Sequence, residues 1–133
     1  MTATLPQASP VRAGIRIEER TEDGLPAAAR VEILATEPVF AGHYPDFPIF
    51  PGVCVVDCVH RAATDGDRAP APTALAAVES ARFAGAVYPG DTLVLSLSWR
   101  RTDTGLTCKA TAATERGKAA SVKLRYRAED GAR

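Results

Sequence analysis

Residues 42–63 read GHYPDFPIFPGVCVVDCVHRAA, and the second half of this stretch holds the one segment of the chain whose pattern predicts a helix. Pro51 suits a first helical turn, where its missing N–H is no loss and its fixed φ is already helical. Gly52 follows, and no breaker interrupts Val53 to Ala63 before Asp65-Gly66. At 100° per residue Cys54, Val55, Val56, Cys58, Val59, Ala62 and Ala63 fill an apolar arc of about 200°. A helix this apolar belongs in a core. Its remaining edge carries Val53, Asp57, His60 and Arg61, so three ionisable groups share one narrow stripe that faces water or a site. Upstream, Pro45, Pro48 and Pro51 fix much of the backbone that enters the helix.

On either side of this helix the pattern is extended. Val11, Ala13, Ile15 and Ile17 alternate with Arg12, Arg16 and Glu18, and a second extended segment around Arg30 to Leu34 follows the turn-like Asp23-Gly24. Thr73 to Phe83 also reads as extended, with helix as its competitor because of its alanines. The clearest period of two is Leu93, Leu95, Leu97 and Trp99 against Val94, Ser96, Ser98 and Arg100. Turns at Asp103-Thr104-Gly105 and Arg116-Gly117-Lys118 lead into Leu106 to Ala112 and into Val122, Leu124 and Tyr126, which makes an antiparallel meander. One helix covering the apolar face of a curved antiparallel sheet of five to six strands is an α+β architecture. Residues 1–10 read as a flexible lead-in, 11–128 as a single domain and 129–133 as a short tail.

The chain has 133 residues, 46% of them hydrophobic, which is room for one domain with a core that needs no disulfide or metal staples. Sixteen Lys+Arg balance sixteen Asp+Glu, so the broad basic field of a nucleic-acid-binding domain is missing. Three cysteines fit free thiols in a reducing cytosol better than a secreted disulfide framework. The first residues lack the pattern of a secretory leader, and no apolar run approaches the roughly 18 residues of a membrane span, so a soluble cytoplasmic protein is expected. Cys54 and Cys58, four apart on one helical face without further ligands at metal spacing, read as packing, and no metal site is expected.

The chemistry concentrates before and within the helix. His43, which titrates near neutrality, precedes a helix N-terminus whose N–H groups lack intrahelical acceptors. Asp57, about one and a half turns in, is a candidate proton donor if partly buried. HYPDFPIFPGVCVVD, from His43 to Asp57, resembles the signature of the hot-dog-fold 3-hydroxyacyl-acyl-carrier-protein dehydratases (FabA/FabZ-like), approximately H-F-x-x-x-P-[VI]-M-P-G-[VC]-L-x-x-[ED]. A second stretch, ARFAGAVYPGDTLVL from Ala81 to Leu95, is similar to that family's F-x-x-x-V-x-P-G-D-x-L strand-turn-strand. GKAASVKL sits where a final strand is expected.

The resemblance implies a hot-dog fold, a sheet wrapped around one central helix, and dehydration of a 3-hydroxyacyl thioester to a 2-enoyl thioester. In it His43 removes the α-proton, Asp57 protonates the departing hydroxyl and the Gly52 N–H holds the thioester carbonyl. It implies no cofactor of the protein's own, the substrate arriving on the phosphopantetheine of an acyl carrier protein. It also implies a dimer or larger homo-oligomer in which His43 of one subunit meets Asp57 of the other, and a bond in the loop, Phe47-Pro48, that is a candidate for the cis form. Phe47, Pro48, Phe50, Val53, Arg61, Phe83 and Tyr88 are the expected tunnel residues, Tyr88 having strand-capping as its other reading.

Two positions depart from the pattern: Phe50 replaces the usual Met, and Arg61 stands where relatives usually carry Gln, at a spacing that allows it to pair with the acid. Arg61 motivates an alternative, a non-catalytic or half-catalytic subunit of a heterodimeric dehydratase. A hot-dog thioesterase is a third reading. Fatty acid and polyketide or polyene biosynthesis both fit, and Lys123, Arg125 and Arg127 with Arg100 and Arg101 read as a solvated sheet face or as a dock for an acidic carrier.

Overall fold

A computed structural model describes residues 14–37, 50–64 and 74–127. Six strands and one helix follow one another as β1 (Ile15–Arg20), β2 (Pro26–Glu32), α1 (Gly52–Ala63), β3 (Ala74–Phe83), β4 (Thr92–Thr102), β5 (Gly105–Thr114) and β6 (Gly117–Arg127). They form a single sheet in the order β1-β2-β4-β5-β6-β3, each neighbouring pair antiparallel. After α1 the chain therefore starts again at the far edge with β3 and returns to the centre with β4.

The alternation seen in the sequence sets the two faces of this sheet. Leu93, Leu95 and Leu97 of β4, Cys108, Ala110 and Ala112 of β5 and Val122, Leu124 and Tyr126 of β6 point into the core, while Ser96, Ser98 and Lys109 face outward. Register pairs Leu95 with Ala112 and Leu97 with Ala110, so large and small side chains lie side by side. The buried alanines at 29, 110, 112 and 120 keep this face shallow enough for α1 to rest across β1, β2, β5 and β6. The helix buries Cys54, Val55, Cys58, Val59, Ala62 and Ala63, the residues of the expected apolar arc except Val56, which is half-buried.

Two local features differ from the sequence expectation. β2 begins at Pro26, earlier than the expected segment at 30–34, because the alanines at 27–29 carry no alternation to mark a strand; the Pro26 carbonyl accepts a hydrogen bond from the Trp99 indole at 2.7 Å. Pro51 is the N-cap, in extended conformation (φ −64°, ψ 149°), rather than the first helical residue, and its carbonyl accepts the Cys54 and Val55 N–H groups. The 74–83 segment is strand, in line with its extended reading, and pairing along β6 outweighs the helix propensity of its alanines. The expected turn at Gly117 is present with φ +119°, a conformation that favours glycine. Val11 and Ala13, the lead-in and the C-terminal tail lie outside the described residues.

Candidate active site

Gly52 opens α1, where an N–H has no acceptor within the helix. Its lack of a side chain lets a neighbour come close: a Cβ built on Gly52 would come within 2.8 Å of the Phe83 ring as it stands. Phe83, at the end of β3, lies on the helix start while remaining 53% exposed, and Val53 beside it is 71% exposed. An apolar surface thus flanks a backbone donor.

Further along the same edge, Asp57, His60 and Arg61 are half-buried. His60 Nδ1 lies 2.8 Å from the Tyr126 hydroxyl, and the two rings stack with an interplanar angle of 10°. Burial holds His60 below its ordinary pKa, an effect that Asp57 opposes when ionised. Burial also pushes the Tyr126 hydroxyl upward, so a neutral phenol shares this hydrogen bond with the imidazole. His60 therefore anchors α1 to β6.

The thiols behind this edge are suppressed. Burial, reinforced by Asp57 and Glu37, pushes Cys54 up to about 11, and burial is the leading cause that raises Cys58 and Cys108 to about 12. Glu37 itself is 3% exposed, a buried carboxyl shortly after β2 that sequence reasoning missed. The available signal was an acid directly before Pro38, a few residues upstream of His43.

Of the expected tunnel residues, Val53 and Phe83 flank Gly52, and Arg61 shares the helix edge with Asp57. Phe50 is buried in the core, its N–H donating to the Val87 carbonyl at 2.7 Å. Tyr88 is exposed in the turn after β3, with its N–H on the Asp91 carboxylate and its ring under the Arg116 guanidinium. His43, Phe47, Pro48 and the Phe47-Pro48 bond lie outside the described residues. Two open depressions, of about 460 and 520 Å³, lie on the outer sheet face around Ser98, Lys109 and Lys123, on the side away from α1. They are gaps between side chains of a solvated face and hold neither Gly52 nor Asp57. Among the described residues no three His, Cys, Asp or Glu side chains are grouped to hold a metal ion, and no helix is long and apolar enough to cross a membrane.

Comparison with known proteins agrees with this arrangement. The solved structure of the dehydratase heterocomplex ApeI:P from Xenorhabdus doucetiae superposes with a TM-score of 0.64 at 22% identity, over 89% of this chain and 98% of that one. An uncharacterized protein from Erwinia carotovora subsp. atroseptica gives 0.54 at 23% identity, over 87% and 94%. One helix on a six-stranded antiparallel sheet of this topology is a hot-dog fold. The model of the ApeI-like family, described as ApeI dehydratase, matches residues 18–123. The chain belongs to the ApeI-like dehydratase family. Among curated relatives, it is 38% identical over 101 residues to the 3-hydroxyacyl-[acyl-carrier-protein] dehydratase FabZ of Solibacter usitatus, over 71% of this chain and 61% of that protein. It is 32% identical over 105 residues to FabZ of Ruminiclostridium cellulolyticum, over 75% and 74%. The chain spans 61% of the Solibacter protein and 60% of FabZ from Haemophilus ducreyi.

Proposed function

We propose that this protein removes water from 3-hydroxyacyl thioesters carried on an acyl carrier protein, giving 2-enoyl thioesters for fatty acid or polyketide and polyene biosynthesis. The observation that carries the reading is the run from His43 to Asp57, in register with the dehydratase signature, whose end from Gly52 onward opens a helix that holds Asp57 on a half-buried edge less than two turns from the Gly52 donor. His43 takes the α-proton as the electrons move toward the thioester carbonyl, where the Gly52 N–H meets the developing charge. Asp57 gives its proton to the departing hydroxyl, which leaves as water. The proton on His43 then returns to Asp57 through solvent, restoring both groups. This acid–base elimination calls on no redox group.

The active unit is one domain over residues 11–128, working in the cytoplasm as a dimer or larger assembly. Support for an assembly comes from β3: it is an edge strand of ten residues with exposed Leu75, Val78 and Phe83. Val53, Phe83 and Tyr88, with Phe47 and Pro48 from the motif, line the acyl path, and Phe50 shapes it from the core side. A second reading is a half-site subunit of a heterodimer, favoured by Arg61 on the same edge as Asp57 and in keeping with a structural neighbour that is a heterocomplex.

The test is intact-mass analysis of a carrier protein loaded with a 3-hydroxyacyl chain, incubated with the wild-type chain and with His43→Ala. Loss of one water that the variant abolishes is expected. A chain that acts only after a related subunit is added supports the half-site reading, and bare carrier with released acid means a thioesterase.

A further inference from the structure

The turn between β3 and β4 is bonded to two distant parts of the molecule. Gly90 N–H donates to the Ile33 carbonyl at 2.6 Å, and Ile33 N–H donates to the Asp91 carbonyl at 2.9 Å, which ties the turn to the chain leaving β2. On its other side, the Val87 carbonyl accepts the Phe50 N–H, two residues before Gly52. Val87 is itself buried in the core. Whatever fixes this turn therefore fixes the approach to α1.

One side chain grips it. Arg116, in the β5–β6 turn, donates from Nη1 to Asp91 Oδ1 at 3.0 Å and from Nη2 to Asp91 Oδ2. Nη2 also reaches the Ala86 carbonyl at 3.3 Å, and the guanidinium carbon lies 5.0 Å from the Tyr88 ring centroid. The Asp91 carboxylate in turn accepts the Tyr88 N–H at 2.7 Å, closing the turn. Asp91 is 10% exposed while Arg116 is 47% exposed, so the acid is enclosed and the cation closes over it from outside. The hydrogen bond from Arg116 holds the Asp91 carboxyl below the ordinary range, which keeps the pair charged. Pairs with one partner this exposed contribute little to stability, so the consequence of this one is geometric. Only a planar fork makes these contacts together, and lysine cannot reproduce them.

We infer that Arg116 is a positioning residue: by clamping residues 86–91 it sets, through the Val87–Phe50 hydrogen bond, where the Gly52 N–H stands against Phe83. The inference rests on the reading of Gly52 as the donor to the thioester carbonyl. A donor aimed at charge that develops in the transition state is sensitive to small displacements, whereas apolar binding of the acyl chain is not. Loosening the clamp therefore lowers kcat and spares KM.

The experiment compares wild type with Arg116→Ala, Arg116→Lys and Asp91→Asn by amide hydrogen exchange, thermal melting and steady-state dehydration of a loaded carrier. In Arg116→Ala the Phe50 and Gly90 amides are expected to exchange about tenfold faster while Cys108 and Leu124 do not change. The expected kinetics are a kcat lowered about tenfold with KM within about twofold. Arg116→Lys is expected to behave like Arg116→Ala, and Asp91→Asn to match both. Unchanged exchange at Phe50 overturns the clamp. Faster exchange with unchanged kcat, or full rescue by lysine, overturns the positioning role. A wild-type chain that removes no water overturns the dehydratase reading instead, and the exchange comparison still decides the clamp by itself.

Discussion

The two sides of α1 differ in what they are for, although the same twelve residues make both. One side, Cys54, Val55, Cys58, Val59, Ala62 and Ala63, is buried against the sheet and offers only apolar surface and protonated thiols. The other, Val53, Asp57, His60 and Arg61, is open or half-buried and carries every ionisable group of the helix other than those thiols. A period of 3.6 residues lets packing and chemistry alternate along one short segment without sharing positions. Substitutions on α1 should therefore separate into those that weaken the fold and those that weaken the reaction, with His60, which ties the open edge to β6, on the side of the fold.

The strongest way to sharpen that separation on the packing side is Val59→Ala. It empties part of a fully buried site, and the expected cost is about 2 kcal/mol with turnover per folded molecule retained. Thermal melting beside an activity assay checks it. Tyr126→Phe is the next in size, since it leaves His60 Nδ1 without its 2.8 Å partner and should cost about 1 kcal/mol.

The same contact predicts a pH dependence. His60 is held below its ordinary value of 6.5, so the folded state resists its protonation. The stability this gives is complete above about pH 6.5 and is lost as pH falls through the lower folded-state value. Melting at about pH 7.5 and about pH 5 should show a drop that His60→Gln reduces. An undiminished drop in that variant would place the sensitivity elsewhere.

Gly52→Ala is expected to disturb the other side with less effect on stability, because the atom it meets is the far end of an exposed Phe83 side chain that can swing away. Activity should fall while the melting temperature stays within a few degrees, and Gly52→Ala combined with Phe83→Ala should recover part of the loss. The smallest expected effect is on the thiols: with values raised to about 11 and about 12, the native protein should consume almost no thiol reagent at neutral pH until it is unfolded.

Much of this was legible in residue order. The helix from Gly52 to Ala63, its buried arc and polar edge, the β4–β5–β6 meander and the turns at 103–105 and 116–118 all follow from local periodicity and turn chemistry. The link from motif to family followed from the His43–Asp57 register. What local patterns do not reveal are contacts made across the sheet. His60 and Tyr126 are 66 positions apart, and Arg116 finds Asp91 and Ala86 at separations of 25 and 30. The burial of Glu37 is likewise invisible in local pattern, whereas the extended reading of β3 left helix as a competitor that only its pairing along β6 removes.

The division of α1 into a packing side and a reacting side is decided by giving Asp57→Asn and Val59→Ala the same 3-hydroxyacyl-loaded carrier and the same melting experiment. Asp57→Asn should melt close to wild type but remove water about 10²–10⁴-fold more slowly, while Val59→Ala should melt earlier and still turn over. An Asp57→Asn protein that continues to remove water at the wild-type rate would contradict the role of Asp57 as the acid.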